Sequence, residues 1–381
     1  MNIAIVGGGI GGLATAKALL NKGFNVQVYE RSQVLRPIGA GLSLTPNGLN
    51  SLEAIQPGIA ELLKQAGSPL HKLTLKRSTG ETIASKPMAI EQQYGQPMLN
   101  IQWSKLQSIL ASTLPPEIIH LNHRCVGFEQ QDDQLTVHFS HQKAIQPDLL
   151  IGADGINSVV RQTLIGDGCP NYADRVSWRA VVRYNHKRLS PNAATLITAS
   201  DEGKNIMLID VGGGHIFWSA GLRSTDDFVH QRKTDAKTRV LERFAEWAEP
   251  VADIIKATPE EDIVERPICD RPPLQHWSKG SVTLLGDAAH SVVPSLGQGA
   301  NMAFEDAYEL AECLSVAPNV AAALSAYEKS RIPRTTAIYE RSTDQGHRAY
   351  QPDSETTLSE MMKISQANQN DFEAWLYSYP P

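Results

Sequence analysis

Only four cysteines occur in the 381 residues, Cys125, Cys169, Cys269 and Cys313, and none forms a CxxC pair or stands close to a histidine. That spacing excludes a disulfide scaffold and a structural zinc site. Positive charge is also short: Lys and Arg number 35 against 41 Asp and Glu, a formal net charge of −6. With no basic run to offset the balance, a phosphate backbone finds little to attract it, and nucleic acid is not expected as a partner. No apolar run approaches the roughly 18 residues of a membrane span. Residues 1–16 carry no charge, but five glycines interrupt them and no basic segment precedes them, so they do not read as a signal peptide. The expectation is a cytoplasmic chain without stable membrane insertion, monomeric or homodimeric. Hydrophobic residues at 41% and charged residues at 20% are ordinary globular values. A chain of this length suits two domains or one domain with a large insertion.

Residues 2–6 form an apolar strand-like run, 10–22 have helical periodicity, and 25–30 alternate again, which makes a βαβ unit with glycines between strand and helix. Further helices are expected over 49–66 and 104–114, the latter stopped by Pro115-Pro116. A hairpin is expected over 72–85 around Ser78-Thr79-Gly80, and a short strand over 148–151. From 176 to 222 strand signals dominate and predict an antiparallel sheet. A helix over 235–257, a strand over 281–285 and helices over 300–314, 320–329 and 333–350 follow. The β-rich block therefore interrupts a framework that resumes near Ser281. The expected division is a discontinuous nucleotide-binding domain (1–70, 100–172 and 266–350), a β-rich substrate domain (71–99 and 173–265), and a tail (351–381). In the tail Phe372, Trp375 and Leu376 leave room for a docking helix.

Three motifs carry chemistry. Gly7, Gly9 and Gly12 make GxGxxG between a strand and a helix. The first permits a tight turn, the second lets backbone approach a pyrophosphate, and the third lets the helix pack on the strand. Glu30 ends the second strand, placed to accept hydrogen bonds from ribose hydroxyls; Arg31 and Arg36 follow on the same edge of the sheet. GADGINSVVR (152–161) follows the strand over 148–151, and Asp154 can cap a helix starting near Asn157. LLGDAAH (284–290) and PSLGQGAN (294–301) place Asp287 at a strand end and Pro294, Gly297, Gly299, Ala300 and Asn301 at a helix start. N–H groups there can face a developing anion.

In this order and spacing the motifs resemble the three fingerprints of class A FAD-dependent monooxygenases, the para-hydroxybenzoate and salicylate hydroxylase type, over residues 1 to about 341. The resemblance implies an α/β fold: a Rossmann-like FAD-binding domain with an inserted antiparallel β-sheet substrate domain, as in para-hydroxybenzoate hydroxylase. It implies that Gly7, Gly9, Gly12, Glu30 and Arg31 hold the ADP half of FAD, that Asp154 serves FAD and transient nicotinamide binding, and that Asp287 meets the ribityl chain. Arg36, Pro294 and Gly297 would stand at the flavin ring, where oxygen is activated, with Gly299, Ala300 and Asn301 lining it. NADH or NADPH would be the co-substrate. O2 would form a flavin C4a-hydroperoxide that hydroxylates a small aromatic or heteroaromatic substrate. The sequence departs from the family at Trp103, where many members have an arginine. A dehydrogenase or reductase, an epoxidase of the zeaxanthin type and a non-catalytic binding module are the competing readings.

On the β-rich block Arg179, Asn205, Asp210 and Trp218 are candidates to meet the substrate. Strand alternation puts Trp178, Ala180, Val182 and Tyr184 on one face and Arg179 and Arg183 on the other, without saying which face meets the flavin. His290 reads as a structural residue or a general base, and Asp210 as a turn residue or a base for a phenol. Gly212-Gly213-Gly214 lacks a third spaced glycine and reads as a turn.

Overall fold

The computed structural model describes residues 1–35, 40–131, 134–199, 202–224, 234–350 and 368–379. Strand β1 (Asn2–Val6), helix α1 (Ile10–Asn21) and strand β2 (Asn25–Tyr29) form the expected βαβ unit. A five-stranded parallel sheet grows around it in the order Val282–Leu284, Leu149–Gly152, β1, β2, Ile119–His120. Parallel strands must be covered on both faces, which is why these read as near-continuous apolar runs. Ile3, Ile5, Val26, Val28 and Leu149 to Ile151 are all buried.

The second layer is a seven-stranded sheet in the order Val264–Asp270, Asn171–Arg183, His215–Arg223, Lys204–Asp210, Ala193–Ala199, Lys72–Arg77, Thr82–Pro87. The hairpin over residues 72–87 thus joins the β-rich block, and its contact with Ala193–Ala199 is the one parallel pairing of an otherwise antiparallel sheet. One face buries Trp178, Ala180, Ile206, Leu208, Trp218 and Ala220 against the helices Ala236–Phe244 and Val251–Ala257. The other face turns toward the parallel-sheet body. A Cβ on Gly41, at the start of strand Gly41–Leu44, would stand 2.6 Å from Phe217 Cγ on that face. The Gly212-Gly213-Gly214 turn has φ of 81°, 65° and 74°, a left-handed run that glycine alone adopts freely.

Three helix expectations are corrected. The segment 49–66 is two helices, Pro46–Ile55 and Ile59–Ala66, because Pro57 and Gly58 interrupt it, with Gly58 at φ 86°. The segment 235–257 is likewise broken before Pro250, which removes a donor. Conversely, 320–329 and 333–350 are one helix, Val320–Arg348, running through Pro333. The local rule fails there because Arg331 and Arg334 are anchored on either side of the proline. Arg331 reaches Asp306 at 2.7 Å and Glu305 at 2.7 Å, and Arg334 reaches Glu305 at 2.7 and 2.8 Å. Both carboxylates lie on the helix Gly299–Val316 and are fully buried. Removing one partner from a buried pair costs about 3–5 kcal/mol, against roughly 3 kcal/mol for an interior proline, so the ion pairs prevail.

Asp306 is the hub of this cluster. It accepts from Arg331, from His290 Nε2 at 2.5 Å and from the Gly286 amide at 3.0 Å. Burial alone would raise its carboxyl, but His290 and Arg331 together hold it at about 2. A depressed folded pKa means that its stabilisation is complete above about pH 4, the unfolded range, and is lost as pH falls toward 2.

Two outcomes follow from this packing. Pro333→Ala should raise stability by about 2 kcal/mol, the helix penalty of about 3 less about 1 of unfolded-chain entropy, seen as a higher thermal midpoint. Urea unfolding from pH 6 to pH 2.5 should show about 2 kcal/mol lost below pH 4 that is absent in Asp306→Asn; equal slopes in parent and variant would refute the role of Asp306.

Candidate active site

At the dinucleotide corner α1 begins after Gly9 with no side-chain cap, so its first-turn N–H groups face outward. A Cβ on Gly9 would meet nothing within 4 Å, which leaves room for a bulky anion there. Gly7 and Gly12 answer a different need. A Cβ on Gly7 would stand 2.2 Å from the Ala153 carbonyl oxygen, and one on Gly12 would stand 2.0 Å from that of Gly7. The first fingerprint is thereby pressed against the second. Glu30 sits at the end of β2 and accepts from the Gly8 amide at 2.8 Å and the Ser32 amide at 2.8 Å, which aims the carboxylate along the glycine loop. Arg31 beside it is exposed, and Arg36 lies outside the described residues. Gln107, invisible as a site residue in the sequence, is buried and donates to the Gly8 carbonyl at 2.8 Å. Trp103 opens the same helix, Trp103–Ser112, and its amide donates to Ala40.

In the second motif Asp154 is a cap. Its carboxylate accepts from the Val159 amide at 2.7 Å, the Val160 amide at 3.3 Å and the Ser158 hydroxyl, at the start of helix Val159–Leu164. Burial raises its carboxyl despite those donors. The helix starts two residues later than expected, since Ser158 supplies the cap bond to Arg161. Arg161, which the sequence did not single out, is fully buried and donates to the Ala288 and Ala289 carbonyls at 3.0 Å each, gripping the DAAH turn of the third motif. Asp167 holds the other side of that guanidinium; burial works against its ionisation, yet Arg161 and Arg271 keep its carboxyl below the ordinary range.

Asp287 is enclosed by the fold, and burial raises its carboxyl, opposed by His290 and Arg179. Its surface is nevertheless open to solvent. A group ringed by protein yet reachable by water lies in a cleft. The neighbouring helix start closes one side: a Cβ on Gly299 would stand 3.6 Å from Asp287 Oδ1. Pro294 begins a tight turn, Gly297 takes φ 64° with open space where a Cβ would be, and the helix Gly299–Val316 has no side-chain cap. Gly299 and Ala300 therefore present free first-turn amides. The Asn301 side chain is not available to a ligand: it is fully buried, accepts from the Thr45 amide and donates to the Ser43 and Gly297 carbonyls. Gln298 bonds Thr45 and Asn47 beneath it.

Across the cleft, the row Arg179, Ser219, Met207 crosses three paired strands on the open face, and Val181, Phe217, Ile209 form the next row. Burial lowers the Arg179 pKa, Arg266 adds to this, and Asp287 opposes it, so the sheet and the third motif sense one another's charge. Arg179 has no hydrogen bond or ion pair among the described residues. Of its three companion candidates, two are placed elsewhere and the third is engaged by Tyr350. Trp218 is fully buried on the helix-covered face and donates to Thr258 at 2.9 Å, because its parity in the strand matches Trp178's neighbour Ala180 and not Arg179. Asp210 is consumed in a joint, accepting from Ser68, Asn192 and Gly212. Asn205 is on the open face but contacts Tyr350 at 3.3 Å. His290, buried against Asp306, does not reach the cleft. Phe217 and Met207 were missed, although the alternation that marks Arg179 carries them too.

Two uncapped helix starts, the space at Gly9 and Gly297, and the acceptors Glu30 and Asp287 fit FAD: amides for its phosphates and reduced ring, carboxylates for its hydroxyls. Among the described residues no helix is long and apolar enough to cross a membrane. The chain matches the family described as FAD binding domain over residues 1–342. It is 33% identical over 337 residues to an aurachin C monooxygenase/isomerase of Stigmatella aurantiaca, covering 88% of this chain and 86% of that protein. It is 32% identical over 383 residues to a 3-amino-4-hydroxybenzoate 2-monooxygenase of Streptomyces platensis, covering 99% and 96%. The fold matches Klebsiella pneumoniae HpxO, solved with FAD and uric acid, at a TM-score of 0.87 and 26% identity, covering 99% and 96%. The chain belongs to the FAD-binding family of aromatic-hydroxylase-type flavin monooxygenases.

Proposed function

We propose that this protein takes electrons from NADH or NADPH and inserts one atom of O2 into a small aromatic or heteroaromatic substrate, acting in the cytoplasm. The observation that carries this reading is the cleft in which Asp287 and the free amides of Gly299 and Ala300 face the sheet surface of Met207, Ile209, Phe217 and Arg179, an arginine with no hydrogen bond or ion pair among the described residues. FAD supplies the electron transfer and oxygen activation when bound. Gly7, Gly9, Gly12, Glu30 and Arg31 would hold its ADP half, Asp287 would accept from its ribityl chain, and Pro294 and Gly297 would border its ring; Arg36, outside the described residues, stays a candidate by the family resemblance alone. The amides of Gly299 and Ala300, at the positive end of an 18-residue helix, stabilise negative charge on the reduced ring. Met207, Ile209 and Phe217 hold the substrate ring and exclude water from the reacting face. Arg179 orients an anionic group of the substrate, in line with relatives named for an aminohydroxybenzoate and solved with uric acid. The division at 71–99 and 173–265 belongs to the same proposal, with those residues as the roof.

The exposed large apolar side chains among the described residues are scattered, and none lies in the seven-stranded sheet. That distribution gives no support to an epoxidase that docks its sheet on an apolar surface.

The purified protein is expected to be yellow with bound FAD and to consume NAD(P)H faster with a hydroxylatable aromatic acid. Product formed under 18O2 should carry the label; label arriving from water alone contradicts the proposal. Arg179→Gln should raise KM for that acid at least tenfold, about 1.4 kcal/mol, and change kcat less. An effect on kcat with KM untouched would remove Arg179 from substrate binding.

A further inference from the structure

We infer that the C-terminal helix Asn368–Tyr377 is a positioning element of the flavin site, acting through Arg334 and Leu296 on the start of the helix Gly299–Val316. The inference rests on the functional reading above and extends it to residues that touch neither cofactor nor substrate. Two routes, one polar and one apolar, lead from the terminal helix to the same corner.

The polar route begins at carbonyls that a helix end leaves without partners. Arg334 Nη1 and Nη2 donate to the Trp375 and Leu376 carbonyls at 3.3 and 2.8 Å, a cation at the negative end of the helix. The same guanidinium grips Glu305. Glu305 Oε1 accepts from Asn47 Nδ2 at 2.6 Å, Asn47 Nδ2 also reaches Gln298 Oε1 at 3.1 Å, and Gln298 Nε2 donates to Thr45 at 3.0 Å. Gln298 is the residue before Gly299. Arg334, Glu305, Asn47 and Gln298 are 7%, 0%, 0% and 1% exposed, so water cannot replace any link cheaply. Trp375 and Tyr379 close the outer side, their rings 4.5 and 4.2 Å from the guanidinium carbon.

The apolar route is shorter. Leu376 and Tyr377 are buried in one cluster with Met302, and Leu296 packs against that cluster. Leu296 precedes Gly297, and Met302 lies in the first turn of the flavin-facing helix. Without the terminal helix, Arg334 keeps Glu305 but loses two acceptors and two ring faces, while Leu296 and Met302 meet water. Both losses fall on the turn that aims the free amides. Lysine cannot repair the polar route, since one ammonium does not span a bidentate carboxylate and two carbonyls in a plane.

The test compares the full chain with a variant ending at Ala367, and with Arg334→Lys and Leu376→Ala in full-length protein. FAD affinity, flavin reduction potential and thermal midpoint are measured for each. The expected result is a folded variant whose FAD Kd rises at least tenfold and whose reduction potential becomes more negative, because reduced-ring charge loses oriented amides. Variants with a lower thermal midpoint but unchanged Kd and potential would show a structural role only and overturn the inference. If the shortened chain fails to fold, the two full-length substitutions decide by the same readouts. A full-length protein that binds no FAD would instead refute the functional reading.

Discussion

Two of the helix starts that carry no side-chain cap, those of Ile10–Asn21 and Gly299–Val316, sit beside glycines whose missing Cβ leaves open space, Gly9 and Gly297. A helix leaves its first amides unbonded, and most helices satisfy them with Ser, Thr, Asp or Asn at a typical gain of about 1 kcal/mol. Here the N-cap positions are Gly9 and Gln298, and neither caps. Ser158, Asp235 and Asn319 accept cap bonds elsewhere in the chain, while Thr45, Gly58, Gln102 and Pro250 leave helix starts uncapped as well. The mark of the Gly9 and Gln298 starts is therefore the open space beside them and not the missing cap alone. At these two starts the unbonded amides and the space at Gly9 and Gly297 fit an anionic group of the cofactor. The rest of the architecture serves to hold these two starts at a fixed separation.

That separation is set by contacts too close for a Cβ. Gly7 lies against Ala153, Gly12 against Gly7, and Gly11 faces Ala303 and Leu285, with a hypothetical Cβ 3.2 and 3.3 Å away. The three fingerprints are therefore one packed unit, although the second and third begin 145 and 277 residues after Gly7. Arg161 completes it by binding carbonyls of the DAAH turn from the second motif. Packing at this density transmits displacement, so the motifs work as an assembly and not as separate ligand contacts.

The legible part of the structure was the part written locally. The βαβ unit, the three motifs and the strand block follow from periodicity and glycine spacing within windows of about 15 residues. What could not be read depends on distant partners. Strand alternation separates Trp218 from Arg179, but which face is covered is decided by helices over 236–257, beyond the strands themselves. Gln107, Arg161 and Arg334 look like surface polar residues until the chain brings them acceptors 99, 127 and 41 residues away. Pro333 shows the same limit in reverse, a local helix breaker overridden by buried charge.

The arginines divide along that line, and the division bears on specificity. Arg161, Arg271, Arg331 and Arg334 are all buried with carboxylate and carbonyl partners within hydrogen-bond reach. A guanidinium so satisfied has nothing left for a ligand. Arg179 is also desolvated, yet among the described residues it has no bonded partner, and the nearest charges acting on it are another arginine and a carboxyl whose ionisation burial already opposes. A half-buried cation in that position pays a desolvation cost that its own protein does not offset. An incoming anion offsets it, whereas a neutral ring of the same shape leaves it unpaired. On the proposed reading the cleft would discriminate by the cost of leaving Arg179 unmet, since polar sites of this kind reject the wrong ligand far more strongly than apolar pockets do.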